Sequence, residues 1–179
     1  RTEVFGSTGR GFSAIEVSGG LADELLRVRE AIDIGFSPVR KQDFHVTLQF
    51  FENLDRNDAE RIAESARKAD TQPFEAEVRG LGAFPSEEHI RVVWADVLGQ
   101  EMLDLKNMVS NHRVEEDNSH DFHPHITLLR VSDAAPRQRR KLRRSLEEFE
   151  DHRFGTLNVD RLKVFESDGG YREIETVKL

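Results

Sequence analysis

The chain has 179 residues, 37% of them apolar and 34% charged, with a net charge of −8 and no cysteine. That length suits one compact domain or two closely packed lobes. The negative charge argues against a protein that coats long nucleic acids through their phosphates. The missing thiols exclude disulfides and thiolate metal sites, and neither an apolar run of membrane length nor a signal peptide is visible.

Residues 1–10, with a Gly-Ser-Thr-Gly run, are an extension without an assigned fold role, and 11–179 is expected to form one domain. Residues 12–17 predict a strand. Leu21, Leu25, Val28 and Ile32 are spaced for an amphipathic helix over 21–34, ended by Gly35. A loop opens at Ser37-Pro38, and 44–51 predicts a second strand. Asp55 is a candidate N-cap for a helix over 56–69 that turns Ile62, Ala66 and Ala69 inward. Strands are expected over 74–84 and 90–97, around a turn at 85–88. Met102, Leu105 and Val109 have helical spacing. An acidic loop, 115–121, precedes a strand within 122–131. A helix over 136–149 turns Leu142, Leu146 and Phe149 inward. Strands over 154–165 and 171–179 are expected around a turn at 167–170.

Two of these strands carry the same word, His45-Val46-Thr47-Leu48 and His125-Ile126-Thr127-Leu128, 80 residues apart. Side chains alternate faces along a strand, so each word buries its aliphatic pair and presents an imidazole beside a hydroxyl. The same offset aligns the flanking elements and predicts a pseudo-twofold α/β molecule with one histidine strand from each half. Hairpin turns favour antiparallel or mixed sheets over a parallel one.

Two imidazoles in one cleft can divide acid–base work, one taking a proton from water and the other giving one to a leaving oxygen. Two threonine hydroxyls can hold the oxygens of a phosphate as charge grows on them. Opening of a cyclic phosphodiester fits this set and requires no metal. Alternation puts Arg130, five residues past His125, on the opposite face of an ideal strand, from which it reaches phosphate only if the strand bends. Phe12, Phe44, Phe50 and Phe84 are assigned to the core by periodicity. Tyr171, after Gly169-Gly170, is the candidate base-stacking ring. Arg40 and Lys41 are assigned to solvated loop charge.

Rival readings are a metal site at His120, Asp121, His123 and His125, and a module that binds nucleotide ends without turnover. Residues 137–144 hold six cations. At the start of a helix they oppose its dipole, with Arg143–Glu147 and Arg144–Glu148 pairs as partial compensation.

The words resemble the two His-x-Thr motifs of the 2H phosphoesterase superfamily, and within it the LigT-like RNA 2′,3′-cyclic phosphodiesterases, also called 2′-5′ RNA ligases. The similar stretches are Gly11-Phe12-Ser13-Ala14-Ile15-Glu16, Phe44 through Phe51, Gly80-Leu81-Gly82-Ala83-Phe84-Pro85 with Val93-Trp94-Ala95, and Phe122 through Arg130, in the family's order. The resemblance implies a bilobal α/β fold, two largely antiparallel sheets flanking a central cleft with helices outside. It implies metal-independent hydrolysis of 2′,3′-cyclic phosphate ends to 2′-phosphates. His45 and His125 would be the acid–base pair, Thr47 and Thr127 the phosphate ligands, with Arg130 added because the family commonly has an arginine there. No cofactor or resident metal is expected. The partner would be RNA or a nucleotide with a cyclic phosphate end, and the setting a cytoplasmic monomer away from membranes.

Overall fold

In the computed structural model, residues 9–32, 35–110, 122–167 and 169–179 are described. The strands are β1 (Gly9–Glu16), β2 (Ser37–Pro38), β3 (His45–Leu54), β4 (Phe74–Pro85), β5 (Ile90–Val97), β6 (His125–Arg130), β7 (Arg153–Val159), β8 (Arg161–Glu166) and β9 (Arg172–Lys178). The helices are α1 (Gly19–Ile32), α2 (Arg56–Lys68), α3 (Gln100–Val109) and α4 (Pro136–Glu148). Among the described residues no helix is long and apolar enough to cross a membrane.

The strands run β7-β4-β5-β6-β3-β1-β8-β9, every neighbouring pair antiparallel. The short β2, at a place expected to be loop, pairs with the end of β6. Outwards from the middle of this order, β6-β5-β4-β7 form one lobe and β3-β1-β8-β9 the other. The pseudo-twofold relates β1 to β5 and β3 to β6, as the 80-residue offset predicts. Farther out it relates β4 to β8 and β7 to β9, which the offset does not.

The stretch 154–165, expected to be one strand, is two. Asp160 separates β7, paired with β4, from β8, paired with β1. Val159 and Arg161 can lie no more than about 7 Å apart, yet their strands stand six places apart in the order. The sheet therefore curls, bringing its two ends together.

The helices form through their apolar faces. Leu21, Leu25, Val28 and Ile32 of α1 are buried, as are Ile62, Ala63 and Ala66 of α2, Met102, Leu105 and Val109 of α3, and Leu142 and Leu146 of α4. Asp55 caps α2, its carboxylate accepting the Asp58 N–H at 2.8 Å. Most of these residues share one core with Val46, Leu48, Ile126 and Leu128. The helices therefore cover the face of the sheet opposite the histidines.

Candidate active site

The lobes meet where Val46 of β3 pairs with Ile126 of β6. Both are fully buried on the core side. Antiparallel register about that pair sets His45 across from Thr127 and Thr47 across from His125. The four polar side chains of the two words thus share the other face, each half-buried.

The imidazoles are held alike. His45 Nδ1 lies 2.7 Å from the Asp43 carbonyl oxygen, and His125 Nδ1 lies 2.6 Å from that of His123. A carbonyl can only accept, so Nδ1 carries the proton that is donated. Nε2 is left in each ring as the nitrogen free to gain or lose one. A tight turn at Lys41–Asp43, with Phe44 buried behind it, fixes the first carbonyl.

Beyond the words, both strands slip by one residue. Thr47 pairs with Ala14, but Gln49 pairs with Ser13, leaving Leu48 as an extra residue. Thr127 pairs with Trp94, but Leu129 pairs with Val93, leaving Leu128 extra. These β-bulges change the phase of alternation. Phe50 then pairs with Phe12, and Arg130 with Val92. Partners across a ladder share a face, and Phe12 and Val92 lie on the same faces of β1 and β5 as the partners of His45 and His125. Phe50 and Arg130 therefore return to the cleft side. Phe50 is 52% exposed, which corrects its assignment to the core. Simple alternation also misplaces Arg130.

The surroundings of the two rings differ. Phe12 stacks on His45 at 4.9 Å between centroids, and Tyr171 meets it edge-on at 5.4 Å. Phe84 meets His125 edge-on at 5.0 Å, with Trp94 at 6.0 Å. Trp94 lies over Gly82, where an added Cβ would stand 2.3 Å from the indole. Each ring also has a carboxylate across the ladder, Glu16 opposite His45 and Asp96 opposite His125. Asp96 accepts a hydrogen bond from His123 Nε2 at 3.0 Å. Burial pushes both imidazoles below the ordinary histidine value, and the Arg130 charge lowers each further. Asp96 opposes the shift at His125.

A cavity of about 210 Å³ opens beside His45, lined by Phe12, Phe165 and Tyr171 and by the carboxylates Glu16 and Glu173. Lys163 bridges those carboxylates at 2.8 and 3.0 Å. Tyr171 thus sits at the rim next to an imidazole, 42% exposed.

Of the residues singled out in the sequence, His45, Thr47, His125, Thr127, Arg130 and Tyr171 come together. Arg40 pairs with Asp43 at 3.0 Å, and Lys41 with Asp23. His120 and Asp121 lie outside the described residues, and among the described residues no cluster of three or more His, Asp or Glu suits a metal. Asp96 and the positioning carbonyl of His123 were not foreseen. The 80-residue offset pairs Asp96 with Glu16 and His123 with Asp43, so the signal was present.

Known proteins resemble this chain in sequence and in fold. The family model for LigT-like phosphoesterases matches residues 15–94 and 98–173. An RNA 2′,3′-cyclic phosphodiesterase of Methanothermobacter thermautotrophicus is 31% identical over 173 residues, covering 89% of this chain and 90% of that protein. One of Aeropyrum pernix is 29% identical, covering 82% and 87%. Among solved structures, TT0787 of Thermus thermophilus has a TM-score of 0.74 at 24% identity, covering 95% of this chain and 97% of that one. E. coli LigT complexed with 3′-AMP has a TM-score of 0.73 at 20% identity, covering 96% and 98%. With its fold matched over nearly the whole length and its sequence matched across both histidine words, this chain belongs to the LigT-like phosphoesterase family.

Proposed function

We propose that the protein hydrolyses nucleoside 2′,3′-cyclic phosphates, including RNA ends, to 2′-phosphates, with His45 and His125 as the acid–base pair. One observation carries this: the seam at Val46 and Ile126 gathers two imidazoles with free Nε2 atoms and two hydroxyls on one face. In the reaction a water oxygen attacks phosphorus as one neutral imidazole takes its proton. The bond from phosphorus to the ribose 3′ oxygen breaks, and the other imidazole, protonated, gives that oxygen a proton. Thr47, Thr127 and Arg130 donate to the non-bridging oxygens as their charge rises. Burial lowers the proton affinity of both rings, and an anionic phosphate beside them raises it again, favouring protonation of one as substrate binds. The Tyr171 rim and the cavity beside His45 receive the terminal base. The reverse reaction, with a 5′-hydroxyl in place of water, forms a 2′-5′ linkage through the same groups. In this reading both lobes act as one domain, working in the cytoplasm as a single chain.

The test is turnover of a nucleoside 2′,3′-cyclic phosphate in EDTA by the parent, His45→Ala and His125→Ala. Persistent turnover to the 2′-phosphate, reduced about 10²–10⁴-fold in each variant, supports the pair. Abolition by EDTA favours the metal reading. Binding without turnover leaves a nucleotide-end module.

A further inference from the structure

Helix α4 carries a row of cations that the cleft chemistry does not use. Arg137, Arg140, Lys141 and Arg144 are exposed. Their spacing of three, four and seven residues from the first puts them on one face, turned away from the buried Leu142 and Leu146. None of the four makes an ion pair among the described residues. Other helices behave differently: Arg27–Glu24 on α1 and Arg56–Glu60 and Lys68–Glu64 on α2 pair along their own faces. On α4 the expected Arg143–Glu147 and Arg144–Glu148 pairs do not form. Arg143 instead donates to the carbonyls of Glu87 and Glu88 at 3.2 and 3.5 Å, docking the helix on the β4–β5 turn. The first turn of α4 has no acidic residue, so the positive end of the helix dipole adds to the cations instead of being offset. This concentration of positive charge stands in a chain of net charge −8.

The row stands on the helix layer, across the sheet from the cleft, and a short stretch of chain and the β4–β5 turn link the two. Arg130 ends β6 at the cleft, and Arg137 follows seven residues later, at most about 25 Å away at full extension. The β4–β5 hairpin that anchors Arg143 also carries Phe84 and Trp94, which wall His125. Resting on the cyclic phosphodiesterase reading, we infer that the α4 row is an exosite for the backbone of single-stranded RNA upstream of the cyclic phosphate. Its chemistry is that of phosphate contacts: positive, sequence-independent and sensitive to salt. A mononucleotide has no backbone to reach it, whereas an oligonucleotide does.

The experiment compares the parent with the triple variant Arg137→Glu, Arg140→Glu, Arg144→Glu, and with the matching triple Gln variant. Substrates are a mononucleotide 2′,3′-cyclic phosphate and an RNA of about eight nucleotides with the same end, within the usual site size for single strands. The expected result is a KM for the RNA raised tenfold or more in the Glu variant and less in the Gln variant. KM for the mononucleotide and both kcat values stay within twofold. The salt dependence of log KM for the RNA should flatten by about 2, at 0.7 for each of three lost cations. An unchanged RNA KM, or equal changes for both substrates, overturns the exosite. If the parent turns over neither substrate, the cyclic phosphodiesterase reading fails by itself. Fluorescence anisotropy of the same RNA with a 2′-phosphate end then decides the exosite: weaker binding by the Glu variant supports it, and equal binding overturns it. Circular dichroism of both variants confirms the fold.

Discussion

Leu48 and Leu128 hold the same place in the two lobes: each is the unpaired residue of a β-bulge, one position past the threonine that faces the cleft. Both side chains remain in the core. The twin bulges turn the next odd-numbered expectation around, bringing residues 50 and 130 to the cleft. The lobes diverge at that matched position, one offering an exposed aromatic ring and the other a guanidinium.

Arg130 is therefore expected to act on phosphate. Arg130→Ala should lower kcat/KM for a mononucleotide cyclic phosphate by about 10²–10³, the usual loss for one charge-stabilising donor. Arg130→Lys should recover only part, since it lacks the planar two-pronged donor. Because the arginine lowers both imidazoles, Arg130→Ala should also move the pH–rate profile upward. Parent-like rates in Arg130→Ala would remove it from the phosphate site.

The free enzyme needs one imidazole protonated and one neutral. Burial lowers both from the ordinary value of 6.5, so the productive form peaks on the acid side of that value. kcat/KM should fall as pH rises through 7 and 8. Asp96→Asn removes a charge that raises His125, and the peak should shift further to acid. A profile flat to pH 8, or a shift to alkali in Asp96→Asn, would contradict these assignments. Stability runs the opposite way along the pH axis: the unfolded chain binds protons that the folded rings resist. The contribution is full above about pH 6.5 and is lost as pH falls through the lowered folded values. Thermal melts from pH 7.5 to 5 measure it, and His45→Asn should show a shallower acid loss.

Gly82 leaves room for the Trp94 ring. Gly82→Ala should cost about 1–3 kcal/mol, the range for overpacking, and displace the indole from Phe84 and His125. Trp94 is the only tryptophan, so its emission reports this wall directly. Denaturant titration and the emission spectrum check both effects, and an unchanged spectrum with parent-like stability would show that the ring has space to spare.

Much of this was legible in the chain because it depends on local periodicity. The two words fixed their own faces, Asp55 announced the α2 cap, and Leu25, Leu105 and Leu142 marked helix interiors correctly. What escaped depends on pairing between distant segments. Nothing in the composition around Leu48 or Leu128 signals a bulge, since leucine suits a regular strand, so periodicity alone assigns Phe50 to the core and Arg130 to the far face, and only the family resemblance sets Arg130 at phosphate. Residues 154–165 keep strand character through Asp160, so the passage between lobes was invisible. The 80-residue offset is a relation along the chain, whereas the outer strands are related by their order in the sheet.

The short connection at Asp160 has a consequence for how the molecule is made. One lobe takes its four main strands from a continuous middle stretch, β4 to β7. The other needs β1 and β3 from near the beginning and β8 and β9 from the end. Its Phe12–Phe165 pairing joins residues about 150 apart, a separation of the kind that slows folding. During synthesis the middle lobe is complete when residue 159 has emerged. The earliest strand must wait for β8 and β9, so the lobe that walls His45 closes only once residue 178 has emerged.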